Sequence, residues 1–228
     1  MMSVKIFHTL FKGCVIILPW KLKRALLQKF FGYKLDKSSS IGLSWIYPKN
    51  LTMKAGSTIG TFCVAVNLDK IVMDEFSRIG RGNWITGFPA NTDSPHFSHQ
   101  LGRKAELLIG MHTSISKNHH IDCTNLIEIG SFTTIAGYGS QFLTHSIDLV
   151  GNRQHSKSIL IGSYCFVGTD CVILGGSVLP DYSVLGAKSL LNKRLTTTWS
   201  MYAGSPATLK QKIDQSSLYF SRHTGFVI

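Results

Sequence analysis

Aliphatic positions recur every sixth residue in the C-terminal half: Ile161, Val167, Ile173, Leu179, Leu185 and Leu191. Four residues beyond each of the first five stands a small one: Cys165, Cys171, Ser177, Ser183 and Ser189. Helix neighbours lie three and four apart and strand neighbours two apart, so a period of six fits strands and not helices. One inward aliphatic per hexapeptide predicts a solenoid with flat sides. Three sides would close one coil of 18 residues.

The coils can be counted from Ile41-Gly42, Ile59-Gly60, Ile79-Gly80, Ile109-Gly110, Ile129-Gly130 and Ile161-Gly162, with Leu179-Pro180 as the seventh rung. Their spacings are 18, 20, 30, 20, 32 and 18. Excesses of two fit bulged corners. Those of 12 and 14 predict two projecting loops, within 87–106 and 142–158. Loops on a rigid scaffold are where function concentrates. The expected architecture is an all-β parallel helix of about seven coils over 38–195, with an N-terminal segment 1–37 and a C-terminal tail 196–228.

The N-terminal segment has a different period. Val4, Phe7, Leu10, Phe11 and Val15, then Leu22, Leu26, Leu27 and Phe30, have helical spacing on either side of Pro19. The apolar stretch is too short to span a bilayer, and no small-x-small cleavage site follows it. Two readings are compatible: helices that cap the open end of the solenoid, and a basic amphipathic segment resting on anionic lipid. Net charge is +12, concentrated at the two ends: residues 1–37 carry eight lysines and arginines against Asp36 alone. No nucleic-acid-binding motif accompanies them. The five cysteines form no metal or redox spacing and read as thiols in a reducing cytoplasm.

Chemistry must come from the loops, because a β-helix alone implies none. Of nine histidines, His145 stands where the chain leaves the six-residue register, in Leu143-Thr144-His145-Ser146-Ile147-Asp148. A neutral imidazole there can take a proton near neutral pH. Asp148 could orient it or cap the loop. The preceding coil brings Asn118, His119, His120 and Asp122 nearby.

The ladder, the Thr-His-x-x-Asp loop and the ending Tyr202-Ala203-Gly204-Ser205-Pro206 together resemble the hexapeptide-repeat acyltransferases. Among these are galactoside and maltose acetyltransferases, and O-acetyltransferases of capsule, exopolysaccharide and lipopolysaccharide clusters. The resemblance is strongest from Ile109 to Ala207. It implies a left-handed β-helix, acetyl-CoA as cosubstrate, no metal, and a homotrimer with sites between subunits. It makes His145 the general base, with Asp148 or Asp122 in support and Asn118, His120 and Asp122 toward the acceptor. Thr169, Ala187, Lys188, Asn192 and Lys193 would meet the CoA. The family's acceptor-binding asparagine and aspartate align with Ser116 and Thr124, and its arginine after the Pro motif with Thr208. A simple galactoside or maltose is therefore not the expected acceptor.

The implied function is O-acetylation of a sugar in bacterial surface polysaccharide or its lipid-linked precursor. The location would be cytoplasmic, with contact to the inner membrane face through residues 1–37. Alternatives are N-acetylation of an amino sugar, serine acetylation and a non-catalytic β-helix scaffold. A zinc carbonic anhydrase would need three converging imidazoles. His119 and His120, being adjacent in a strand, point to opposite faces.

Overall fold

The computed structural model describes residues 2–225 and 227, with side chains from Thr9 onward. Val4, Phe7 and the other side chains before Thr9 therefore lie outside the described residues.

Alternation of buried and exposed positions builds three parallel sheets, each with seven rungs. The first runs from Lys34–Leu35 to Val178–Leu179, the second from Ser40–Ile41 to Val184–Leu185, and the third from Trp45–Tyr47 to Leu190–Leu191. The second is extended by Ser200–Ala203, which pairs parallel, and Thr208–Lys212, which pairs antiparallel. Seven coils of left-handed parallel β-helix result. Inward aliphatics such as Ile71, Leu107, Ile127 and Ile159 stack rung on rung at no exposure, and this continuous stack is the core.

The small residues of the hexapeptide lie buried at the corners, where they satisfy backbone groups of adjacent rungs. Thr133 Oγ1 donates to Gly162 O (2.7 Å) and accepts from Cys165 N (2.9 Å). His119 occupies such a corner and is fully buried. Ser140 N donates to its Nδ1 (3.1 Å), so Nε2 carries the proton and faces Ser116 Oγ (3.0 Å). Burial, with His120 beside it, pulls the imidazole down to about 4. His119 is thus a neutral structural residue.

One expectation needs correcting. The seven-coil count holds, but Ile79 lies on the second sheet and Ile109 on the first, so they are not rungs of one ladder. Met73 pairs with Ile109, 36 residues later. The first loop therefore adds a full coil's length to its turn, not 12 residues. The Ile-Gly signature changes sides across the loop because both sheets offer an inward aliphatic before a corner glycine. The second excess stands as read, since Ile129 pairs with Ile161.

A feature absent from the expectations is a ladder of six rings along the corner between the first and second sheets. Phe76, His112, Phe132, Tyr164, Tyr182 and Trp199 stack at centroid spacings of 5.0, 5.0, 4.7, 5.3 and 4.4 Å. Each residue is left-handed, with φ between 51° and 57°. That conformation is costly for bulky side chains, and repetition of the same stacked contact offsets it. The C-terminal segment closes over this corner. Phe220 packs on Trp199 (5.3 Å), and Tyr219 Oη donates to Cys165 O (2.8 Å).

At the other end two helices, α1 (Met2–Ile16) and α2 (Trp20–Phe31), cover the first coil. Val15, Leu27, Phe11 and Phe31 lie against it. An end coil leaves backbone carbonyls without a next rung. Here Lys23 reaches two of them from α2: its Nζ donates to Gly42 O (2.6 Å) and Ile41 O (3.4 Å), and also to Ile16 O at the end of α1 (3.3 Å). Lys23 is only 3% exposed, and burial pulls its ammonium down to about 8 from 10.5. Between those pH values the unfolded chain binds the extra proton, so stability rises with pH across that window. Thermal melts at pH 7 and pH 9.5 are expected to show wild type gaining relative to Lys23→Met at the higher pH. An unchanged difference would refute the assignment.

Candidate active site

The strand Gln141–Leu143 of the third sheet ends at Thr144, and the chain then leaves the solenoid as a β-hairpin. His145–Asp148 pairs antiparallel with Arg153–Ser156, placing His145 opposite Ser156. Gly175, one coil on, lies under the exit: a Cβ there would come 2.6 Å from Thr144 O and 3.0 Å from Lys157 O. Only glycine lets the hairpin depart over that rung.

One coil earlier in the same sheet, Asp122 pairs in register with Leu143. Its carboxylate collects donors from three residues. Thr124 gives N–H (3.1 Å) and O–H (2.6 Å) to Oδ1, Thr144 gives N–H (3.1 Å) to Oδ2, and His145 gives its backbone N–H (3.2 Å) to Oδ2. His145 Nδ1 lies 2.8 Å from the same Oδ2. Burial raises the Asp122 pKa, but the hydrogen bonds from His145, Thr124 and Thr144 outweigh it and leave the carboxyl below its ordinary value. An ionised Asp122 then places the proton of His145 on Nδ1 and leaves Nε2 as the basic nitrogen. The same bond raises the His145 pKa above 6.5, against partial desolvation.

The long loop 87–106 folds back over this corner. Phe97, 7% exposed, sets its ring edge-on to His145 at 6.4 Å between centroids. Arg103 lies over Phe97 at 4.6 Å, donates to Phe88 O (2.5 Å) and Pro89 O (2.8 Å), and bonds to Thr124 O as well. Gln100 grips the hairpin: Ser156 N donates to its Oε1 (2.9 Å) and its Nε2 donates to Ser156 O (3.0 Å). Both excursions thus converge on one histidine. Gln100 and Arg103 carry no sequence periodicity that could have marked them.

His145 opens on a groove of about 350 Å³ lined by Leu143, Ser146, His155, Lys157, Leu174, Gly175 and Asn192 among others. Of the expected site residues, Asp122 lies beside the imidazole and Asn192 lines the groove, with Lys193 next to it in the chain and exposed. His120, exposed, lies two residues before Asp122 on the outer face of the same strand. Asp148 does not approach the imidazole. It accepts from Gly151 N (3.0 Å) and Arg153 Nε (3.2 Å) and holds the hairpin turn. The carboxylate beside His145 is Asp122. Asn118, Thr169, Ala187 and Lys188 lie at the opposite edge of the third sheet, where the second sheet turns into it. Asn118 and Lys188 are left-handed corner residues, with φ of 54° and 55°, and Lys188 N donates to Thr169 O (2.9 Å). Among the described residues, no three His, Cys, Asp or Glu side chains are placed to hold a metal ion.

The fold is shared with solved acyltransferases. The polysialic acid O-acetyltransferase OatWY matches over 82% of this chain and 90% of its own, at 18% identity and TM-score 0.54. The polySia-specific acetyltransferase NeuO matches over 84% and 88%, at 18% identity and TM-score 0.51. AntD, an N-acyltransferase from Bacillus cereus solved with dTDP and coenzyme A, matches over 87% and 92%, at 13% identity and TM-score 0.52. At these identities the likeness is one of fold. No protein-family model and no curated protein sequence matches the chain.

Proposed function

We propose that this chain is an acetyl-CoA-dependent O-acetyltransferase acting on a sugar hydroxyl of a bacterial surface glycan, with His145 as general base. The observation that carries the reading is the His145–Asp122 pair at 2.8 Å, opening on a groove. The acetyltransferases that share the fold support it, two of them named for polysialic acid.

The residues suit direct transfer. Asp122 fixes Nδ1–H, so Nε2 accepts the proton of the acceptor hydroxyl as its oxygen attacks the thioester carbonyl. The C–S bond of the tetrahedral intermediate then breaks. The proton held on Nε2 passes to the departing CoA sulfur, which restores the neutral imidazole. Acetyl-CoA would lie along the groove past Leu174 and Asn192, with Lys157 and Lys193 toward its phosphates.

The site is proposed to be completed by a second copy in a homotrimer. Gly175 N, on the groove, and the following Gly176 N are already committed to Leu143 O and Ser158 O (2.8 Å each). The remaining expected contacts, Thr169 and Ala187, sit on the far edge of the same sheet. Only another chain packed against this corner brings such an edge to His145. The hairpin tip supports the reading: Leu149 and Val150 are 86% and 100% exposed beside the site, as expected of a surface that meets a neighbour.

The test is CoA thiol release with a glycan panel, read as a pH profile of kcat/KM. Wild type should gain activity as the raised His145 deprotonates. In Asp122→Asn the base should titrate nearer 6.5, so the acid limb moves to lower pH. Losing the fixed tautomer should also cost about tenfold or more in kcat. An acid limb that stays in place would refute the pairing.

A further inference from the structure

The cap helices present apolar surface on two sides. A helix apolar all round is normally enclosed. The inner side of α1 is spent on α2 and the core: Val15 is buried and Phe11 packs on Phe30 (5.2 Å) and Phe31 (6.3 Å) of α2. Its outer side carries Leu10 and Cys14 at i and i+4, and Ile17 follows in the turn that ends it, with Leu10 64% and Ile17 75% exposed. α2 adds Leu22, 50% exposed, together with the exposed Lys21 and Lys29. Lys34 and Lys37 follow on the same end of the molecule, and Asp36 is the only acidic residue from 9 to 37. No helix among the described residues is long and apolar enough to cross a membrane.

We infer that this outer stripe docks the protein on an anionic lipid bilayer. Leu10, Ile17 and Leu22 would enter the headgroup boundary, and Lys21 and Lys29 would lie against lipid phosphates. The charge decides the occupant. A second copy would bring the same lysines face to face, whereas an anionic surface complements them while still burying the aliphatics. The capping side and the docking side are different residues of the same helices, so the cap stays in place when the stripe is occupied. The inference stands apart from the transfer reading, since vesicle binding needs neither acetyl-CoA nor acceptor.

The full chain is sedimented with vesicles of phosphatidylcholine alone and of phosphatidylcholine mixed with phosphatidylglycerol. Binding should appear on the mixed vesicles and weaken with salt. The double variant Leu10→Ser with Ile17→Ser should bind about tenfold less at an unchanged melting temperature. Lys21→Glu with Lys29→Glu should bind less to the anionic vesicles only. No binding of wild type, or binding by both double variants at the wild-type level, overturns the inference. So does a smaller solution mass for the Ser variant with vesicle binding intact, which would assign the stripe to a second copy.

Discussion

His145→Ala is expected to lower glycan-dependent CoA release by roughly 10²- to 10⁴-fold, the contribution of a positioned general base. The loss should fall on kcat, with the KM for acetyl-CoA little changed, because the imidazole acts on the acceptor proton. Folding should survive: the side chain is 47% exposed and its partner Asp122 keeps its bonds to Thr124 and Thr144. His145→Gln should be as inactive as alanine, since an amide can hydrogen-bond but cannot take the proton. Substantial activity in either variant, with the protein folded, would remove His145 from the chemistry.

Phe142→Ala is expected to give the largest loss of stability. Phe142 heads the fully buried side chains by volume and lies between Ile121 and Ile173 on adjacent rungs. Truncation removes its transfer free energy and leaves a cavity that stacked rungs close poorly, about 3–5 kcal/mol. For a chain of this size that is a fall on the order of ten degrees in Tm. Thermal denaturation checks it. Phe142→Leu, which keeps most of the volume, should recover most of the loss, and a fall of only a degree or two in the alanine variant would contradict the packing account. The residue also sits one strand position before Leu143, so activity should drop with stability as the hairpin exit loosens.

The solenoid was legible because its period is local: every inward aliphatic and every corner residue reports on its own hexapeptide. Its limit appears at Ile79 and Ile109, where the same dipeptide marks two different sheets and the periodicity cannot say which side a rung is on. His145 was legible because it breaks register. The choice between Asp148 and Asp122 was not. One is three residues away and turns into the hairpin, while the other is 23 residues away and is brought under the histidine by the stacking of coils. His119 and His120 separate in the same way: adjacent in sequence, one is a buried corner and the other an outer face. The aromatic ladder keeps the solenoid's own register, with His112, Phe132, Tyr164 and Tyr182 each three residues after Ile109, Ile129, Ile161 and Leu179, whereas the grip of Gln100 on Ser156 escaped because it joins two loops that carry no repeat.

The most direct test is transfer of label from [acetyl-¹⁴C]acetyl-CoA to a panel of soluble and lipid-linked bacterial glycans. The account predicts label on at least one glycan, released by mild alkali as an ester is, and absent with His145→Ala. Alkali-stable label would place the acetyl group on nitrogen and overturn the hydroxyl assignment. A wild-type protein that neither binds acetyl-CoA nor labels any glycan would contradict the account at its centre and leave the β-helix as a scaffold.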